Sequence, residues 1–108
     1  MKLEFAGQTL RVTGINILSA ASAPRFRDEL YGPLATRHDV EVDLSRVEFM
    51  DSHGLGALIW ARKTAQQQHC RFRLLNPAPR ARILLDLTLT RQTFDIVDRQ
   101  APSEAVLA

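Results

Sequence analysis

VEFMDSHGLGALIW, the stretch from Val47 to Trp60, decides the fold because it joins a strand pattern to a helical one. The strand delivers an Asp-Ser pair, Asp51 and Ser52, to a turn, and two glycines then let the chain enter a helix packed closely on a sheet. Apolar residues at helical spacing continue that helix through Gln68. A strand that runs directly into a helix is typical of an α/β fold.

Strand and helix patterns also alternate along the rest of the chain. The predicted elements are, in order, strands at residues 2–6 and 9–13, a helix with Phe26, Leu30 and Leu34 on one face, a strand from Val40 to Leu44, a helix from Leu55 to Gln68, a strand with Phe72 and Leu74, a helix with Ile83, Leu84 and Leu87, a strand with Phe94, Ile96 and Val97, and a helical turn at residues 103–107. This order predicts an α/β fold with a mixed four- or five-stranded sheet and helices packed mainly on one face.

Two finer expectations follow from the same patterns. Ser22 is the expected N-cap of the first helix, and Gly32-Pro33 is expected to end or kink it. The expected core consists of apolar residues from two strands and two helices: Val42, Leu44, Leu58, Ile59, Phe72, Leu74, Ile83 and Leu87.

Composition excludes several classes of protein. The length of 108 residues fits one domain, here residues 1–108, and the single cysteine, Cys70, rules out an internal disulfide. Three scattered histidines show no ligand spacing, so neither a metal nor another cofactor is expected. The net charge is only +2, and the twelve arginines are interleaved with acids, which argues against nucleic-acid binding. Without a signal-peptide or membrane-spanning pattern, the chain is expected to be soluble and cytoplasmic.

The neighbouring Asp51, Ser52 and His53 invite an enzymatic interpretation, which their spacing opposes. Adjacent side chains diverge, whereas a catalytic triad brings its members from separate parts of the chain. The nucleophile elbow G-x-S-x-G would need glycine where Met50 stands. Gly54-Leu55-Gly56 also completes no phosphate-binding motif. We therefore expect a protein that is not an enzyme.

Ser52 has two interpretations. At a helix N-terminus the unpaired N–H groups and the helix dipole favour negative charge, so a phosphate on Ser52 would be accommodated there. Alternatively the hydroxyl only caps the helix, which is a common role of serine. Residue types alone favour the cap.

Several motifs in order along the chain resemble the STAS domain family, and in particular the bacterial anti-sigma factor antagonists. Asp51-Ser52-His53-Gly54-Leu55-Gly56 is similar to that family's D-S-[S/T]-G-L-G pattern. Weaker similarities lie in a glycine stretch, a helix opening, a strand and a segment before the last strand: residues 14–17, 23–27, 40–47 and 79–88. The sequence departs from the pattern at His53 and in having no acidic residue shortly after Gly14.

The resemblance implies a STAS-type fold and a regulatory binding module in bacterial transcription control. It implies phosphorylation of Ser52 by a partner serine kinase that is also the anti-sigma factor, with a PP2C-type phosphatase as a further partner. The partner-binding surface would comprise Asp51, Ser52, His53, Gly54 and Leu55. The alternative is a STAS subunit of a lipid or solute transport complex, which needs no phosphorylation and is compatible with both departures.

Overall fold

The computed structural model describes residues 1–99. Ten elements follow one another: β1 (Lys2–Ala6), β2 (Thr9–Thr13), β3 (Ile17–Leu18), α1 (Ala23–Leu34), β4 (Asp39–Asp43), β5 (Phe49–Met50), α2 (Ser52–Gln67), β6 (Phe72–Leu75), α3 (Pro79–Leu87) and β7 (Asp95–Val97). The predicted helical turn at 103–107 lies outside the described residues.

The main sheet has five strands in the order β1-β2-β4-β6-β7. β1 and β2 form the predicted antiparallel hairpin, and Gly7 in its turn has a φ of 61°, a conformation that glycine adopts without strain. The other three pairings are parallel. The predicted mixed sheet is therefore confirmed.

β3 and β5 pair in parallel as a separate two-stranded sheet, with Ile17 opposite Phe49 and Leu18 opposite Met50. The sequence patterns predicted no strand at Ile17–Leu18. Two residues are too few to show an alternating pattern. The strand is defined by its pairing with β5, which is distant in sequence. This small sheet leads directly into α2.

One face of the main sheet is apolar and packs against the helices. Its strands contribute Leu10, Val12, Val40, Val42, Phe72 and Leu74, which join buried residues of α1 and α2 in one cluster. Val42, Leu44, Leu58, Phe72 and Leu74 are buried as predicted, and Ile59 is partly buried.

The core prediction is wrong for α3. Ile83 and Leu87 are 56% and 76% exposed, whereas Ala81 and Leu85 are fully buried. Both pairs are four residues apart and so each lies on one helical face, but the two faces differ by about half a turn. The short apolar run allowed either rotation of the helix, and the packing selects the other one.

The opposite face of the sheet carries a row of alternating charges in register across all five strands. Glu4 pairs with Arg11, Arg11 with Glu41, Glu41 with Arg73, and Arg73 with Asp95. Glu41 is buried although it is charged, because the arginines of the neighbouring strands lie beside it.

The ends of α1 differ in part from expectation. Ser22 occupies the N-cap position, but its hydroxyl makes no capping hydrogen bond and instead donates to the Ile17 carbonyl at 3.0 Å. Pro33 lies in the last turn, and the helix ends one residue later at Leu34, as predicted.

Within residues 1–99, no helix combines the length and the apolar character that a membrane crossing requires.

Candidate functional site

The carboxylate of Asp51 caps helix α2. One oxygen, Oδ1, accepts hydrogen bonds from the backbone N–H groups of His53 at 2.9 Å and Gly54 at 3.0 Å. The backbone of Asp51 is extended, with φ −122° and ψ −176°, which is the usual N-cap conformation. Asp51 therefore fills the capping role that residue types alone suggested for Ser52.

The same carboxylate also fixes the segment that follows β3. Its second oxygen, Oδ2, accepts from the backbone N–H of Ala20 at 3.0 Å, and the N–H of Asp51 donates to the Leu18 carbonyl at 3.2 Å. Because β3 and β5 are parallel, their carboxyl ends meet at one edge. Asp51 thus connects the end of β3 to the first turn of α2.

These hydrogen bonds keep Asp51 ionised. The N–H groups of Ala20 and Gly54 are the main reason that the pKa of the Asp51 carboxyl lies below its ordinary value. The backbone N–H of His53 and the electrostatic attraction of its side chain also lower this pKa, and desolvation opposes them. A negative charge therefore stands next to Ser52 at neutral pH.

Gly54 allows the helix to approach β3 closely. A Cβ atom at this position would lie 1.9 Å from the Leu18 carbonyl oxygen, which belongs to the backbone and cannot easily move. Gly56 differs, because a Cβ there would meet only the Arg27 side chain at 3.8 Å. The first glycine of the G-L-G motif is thus required by packing, and the second leaves space at the surface.

Ser52 is the first residue of α2, and its side chain is exposed. The structure places it at the N-terminal end of the second long helix, as predicted. Its hydroxyl does not cap the helix, since Asp51 accepts the capping N–H groups. It is therefore available to solvent.

The other predicted site residues divide into exposed and buried ones. His53 is exposed, and its Nδ1 lies 3.9 Å from Asp51 Oδ1. Gly54 is buried, and Leu55 is only 5% exposed. The surface of the motif thus consists mainly of Ser52 and His53, while Gly54 and Leu55 hold the helix in place below them.

A groove of ≈ 590 Å³ lies beside Ser52 between the first turns of α1 and α2. Its lining comprises Ala20, Ala23, Pro24, Arg27, Asp28, Ser52, His53 and Gly56. The sequence patterns did not indicate the Ala20 N–H or Arg27, because α1 and α2 meet only in three dimensions. Nor did they indicate Ile17 and Phe49, a cross-strand pair 53% and 47% exposed.

The site presents an exposed hydroxyl beside a carboxylate that is already hydrogen-bonded. The Asp51 carboxylate is engaged by three backbone N–H groups, and no side chain of residues 1–99 links it to Ser52 in the manner of a triad. In the same part of the chain, no three His, Cys, Asp or Glu side chains are grouped so that they could hold a metal ion.

Fold and site together define an α/β domain in which a strand, an Asp-Ser pair and a tightly packed helix form one exposed junction. The chain belongs to the STAS family: a family model described as "Mlab, STAS domain" matches residues 1–92. No curated protein sequence matches the chain significantly.

Solved structures share the fold. TM1081 of Thermotoga maritima, assigned as an anti-sigma factor antagonist, has a TM-score of 0.83 at 21% identity, covering 98% of this chain and 91% of its own. Phosphorylated SpoIIAA of Bacillus has a TM-score of 0.68 at 21% identity, covering 97% and 95%. The murine anion transporter Slc26a9 has a TM-score of 0.74 at 19% identity, covering 96% of this chain and 18% of its own. At such low identity these matches show the fold.

Proposed function

We propose that this protein is an anti-sigma factor antagonist-like binding module that is switched by phosphorylation of Ser52. The observation that carries the proposal is the exposed Ser52 side chain at the first position of α2, beside an aspartate that already provides the cap. In this proposal the chain acts in the cytoplasm as one domain, without a cofactor. Its partner is a serine kinase that is also the anti-sigma factor, and a PP2C-type phosphatase reverses the modification.

The chemistry of the switch is a phosphoryl transfer from ATP. Ser52 Oγ attacks the γ-phosphorus, the bond to the β-phosphate oxygen breaks, ADP leaves, and the hydroxyl proton is released. The kinase supplies all the catalytic groups, so this chain needs only to present an accessible hydroxyl. The product carries about −1.5 to −2 charges at pH 7. They add to the charge of Asp51, whose lowered pKa keeps it ionised.

The unphosphorylated surface suits protein binding. Ser52 and His53 are exposed at the junction, and the apolar pair Ile17 and Phe49 is exposed on the small sheet that leads into it. Apolar side chains next to a polar group that changes charge allow tight docking in one state and rejection in the other. Asp51, Gly54 and Leu55 contribute by fixing the shape of this surface.

The related structures support this proposal at the level of the fold. They include the anti-sigma factor antagonist SpoIIAA in its unphosphorylated form, with a TM-score of 0.73, and SpoIIAA in a phosphorylated form. A STAS fold can therefore carry a phosphate, and Ser52 is the serine of this chain that matches the family motif.

The proposal is tested by incubating the purified protein with Mg-ATP and, in turn, each serine kinase encoded near its gene, followed by intact-mass measurement. One added phosphoryl group is expected on the wild type and none on Ser52→Ala. The control is Ser45→Ala, which removes an exposed serine from a different loop and is expected to be phosphorylated like the wild type. Phosphorylation of Ser52→Ala would contradict the proposal. So would a failure of every kinase encoded near the gene to phosphorylate any of the three proteins.

A second candidate is a STAS subunit of a lipid or solute transport complex. The observation in its favour is the match to part of the Slc26a9 anion transporter. That match covers only 18% of a longer transporter chain, so it concerns a region rather than a separate subunit. An affinity pull-down distinguishes the candidates: recovery of an ATPase or permease supports transport, and recovery of a serine kinase supports the switch.

A further inference from the structure

Arg27 reaches from α1 across to α2. Its guanidinium carbon lies 5.9 Å from the centroid of the Trp60 ring, a cation–π geometry. Its Nη2 atom would lie 3.8 Å from a Cβ at Gly56. The guanidinium therefore sits above Gly56, at ordinary contact distance from where a Cβ atom would lie.

Ser52, Gly56 and Trp60 follow one another at intervals of four residues, so they share one face of α2. Four residues correspond to about 6 Å along the helix axis. Arg27 and Ser52 also line the same groove, together with His53 and Asp28. Gly56, above which the guanidinium sits, thus lies about one helical turn from Ser52, and the Arg27 side chain is long and exposed.

We propose that Arg27 reads the state of Ser52: it rests on Trp60 when Ser52 is unmodified and pairs with the phosphate when Ser52 is phosphorylated. This inference rests on the proposed phosphorylation and adds the residue that receives the phosphate. An exposed cation–π contact is weak, whereas a guanidinium binds a phosphate dianion through two charge-assisted hydrogen bonds. The movement would bind part of the new charge and uncover Trp60 in the same step.

Other charged groups around the groove repel a phosphate on Ser52, and Arg27 counteracts this repulsion. The Asp51 and Asp28 carboxylates repel the phosphate, and His53 attracts it only when protonated. Among the residues of 1–99 that line this groove, Arg27 is the arginine, so its removal is expected to leave the phosphate between two carboxylates. The surface seen by a partner then differs between the two states in shape as well as in charge.

The test uses phosphoserine placed at position 52 during protein synthesis, so that no kinase is needed. The second acid dissociation of the phosphate is followed by ³¹P NMR in the wild type, in Arg27→Gln, and in Arg25→Gln as the matched control. Arg25 belongs to the same helix but pairs with Glu29 and does not line this groove. We expect the dissociation constant to be about tenfold larger in the wild type and in Arg25→Gln than in Arg27→Gln, a difference of about one pKa unit.

A second readout uses Trp60, the single tryptophan of the chain. Acrylamide quenching of its fluorescence is expected to increase when position 52 carries phosphoserine, and to be insensitive to phosphoserine in Arg27→Gln. Equal dissociation constants in all three proteins, or unchanged quenching of Trp60, would overturn the role of Arg27. Loss of partner binding on phosphorylation without either effect would refute this inference and leave the switch intact. Both effects with unchanged partner binding would instead refute the switch.

Discussion

The Asp51 carboxylate accepts a hydrogen bond from the backbone N–H of Ala20 at 3.0 Å, across 31 positions of sequence. The other oxygen of the same group caps α2. One side chain therefore connects the segment after β3 with the start of α2, and it does so directly beside Ser52. This connection gives the exposed serine a fixed position relative to both elements.

The ionised form of Asp51 stabilises the fold, so stability should depend on pH. The pKa of this carboxyl is lowered in the folded state, mainly by the Ala20 N–H. Its contribution is therefore complete above the ordinary aspartate pKa of about 3.9 and is lost as the pH falls through the lower, folded value. Urea denaturation should show that Asp51→Asn is less stable than the wild type at pH 7, with a smaller difference at about pH 3. The control is Asp28→Asn, which removes an exposed carboxylate of α1. An equal effect of Asp51→Asn at both pH values would contradict the role of the charge.

The two glycines of the motif should respond in opposite ways to alanine. In Gly54→Ala the new Cβ would meet the Leu18 carbonyl oxygen at 1.9 Å, so the free energy of unfolding should fall by about 3 kcal/mol or more. In Gly56→Ala the Cβ finds an ordinary contact at 3.8 Å, and helix propensity should raise stability by about 0.5–1 kcal/mol. Urea titrations of both variants measure these changes. Similar stabilities of the two would show that α2 does not approach β3 as described.

The orientation of α3 gives a further matched pair. Leu85 is fully buried and Leu87 is 76% exposed, although they lie two residues apart on one helix. Leu85→Ala should cost about 2–5 kcal/mol, whereas Leu87→Ala should change stability by less than about 0.5 kcal/mol. The reverse order in denaturant titrations would support the rotation that the sequence pattern suggested.

Leu85 and Leu87 show that local sequence patterns could locate the helices and strands but could not orient every helix. Alternating residues in β2, β4 and β6 and the four-residue spacing of Phe26, Leu30 and Leu34 were sufficient for the sheet and for α1. In α3 the apolar residues surround too much of the helix to define one face. Only the packing of α3 against the rest of the fold selects Ala81 and Leu85.

At the site, the sequence pattern located the junction but not its geometry. The position of Ser52 at the start of a helix followed from local residue types. The contacts of Asp51 with Ala20 and of Arg27 with Trp60 join residues more than 30 positions apart. Such contacts depend on how elements pack, which no local pattern in one sequence encodes.

The charge row on the open face of the sheet should contribute to stability through Glu41. Its carboxylate is only 7% exposed and contacts Arg11, Arg73 and Arg99 at 3.2, 3.6 and 3.1 Å. Glu41→Gln removes the charge beneath three guanidinium groups, and a loss of about 2–3 kcal/mol is expected in urea denaturation. Asp95→Asn, at the exposed end of the row, should cost less than about 1 kcal/mol. Equal losses would mean that burial of Glu41 does not strengthen its ion pairs.

In the proposed switch, a charge at Ser52 controls partner binding. Each pair of like charges at about 4 Å costs about 1 kcal/mol in water and about 4 kcal/mol at an effective dielectric constant near 20. A loss of about 3–4 kcal/mol lowers affinity by two to three orders of magnitude. Ser52→Ala adds no charge, and Ser52→Asp adds one where a phosphate adds about two.

The most direct measurement is a calorimetric titration of the purified partner kinase with the wild type, Ser52→Ala, Ser52→Asp and the phosphoserine-52 protein. We expect the wild type and Ser52→Ala to bind with similar Kd, Ser52→Asp to bind more weakly, and the phosphoserine protein to bind weakest, by a factor of roughly 100–1,000. Equal affinities of all four proteins would contradict control of partner binding by a charge at Ser52.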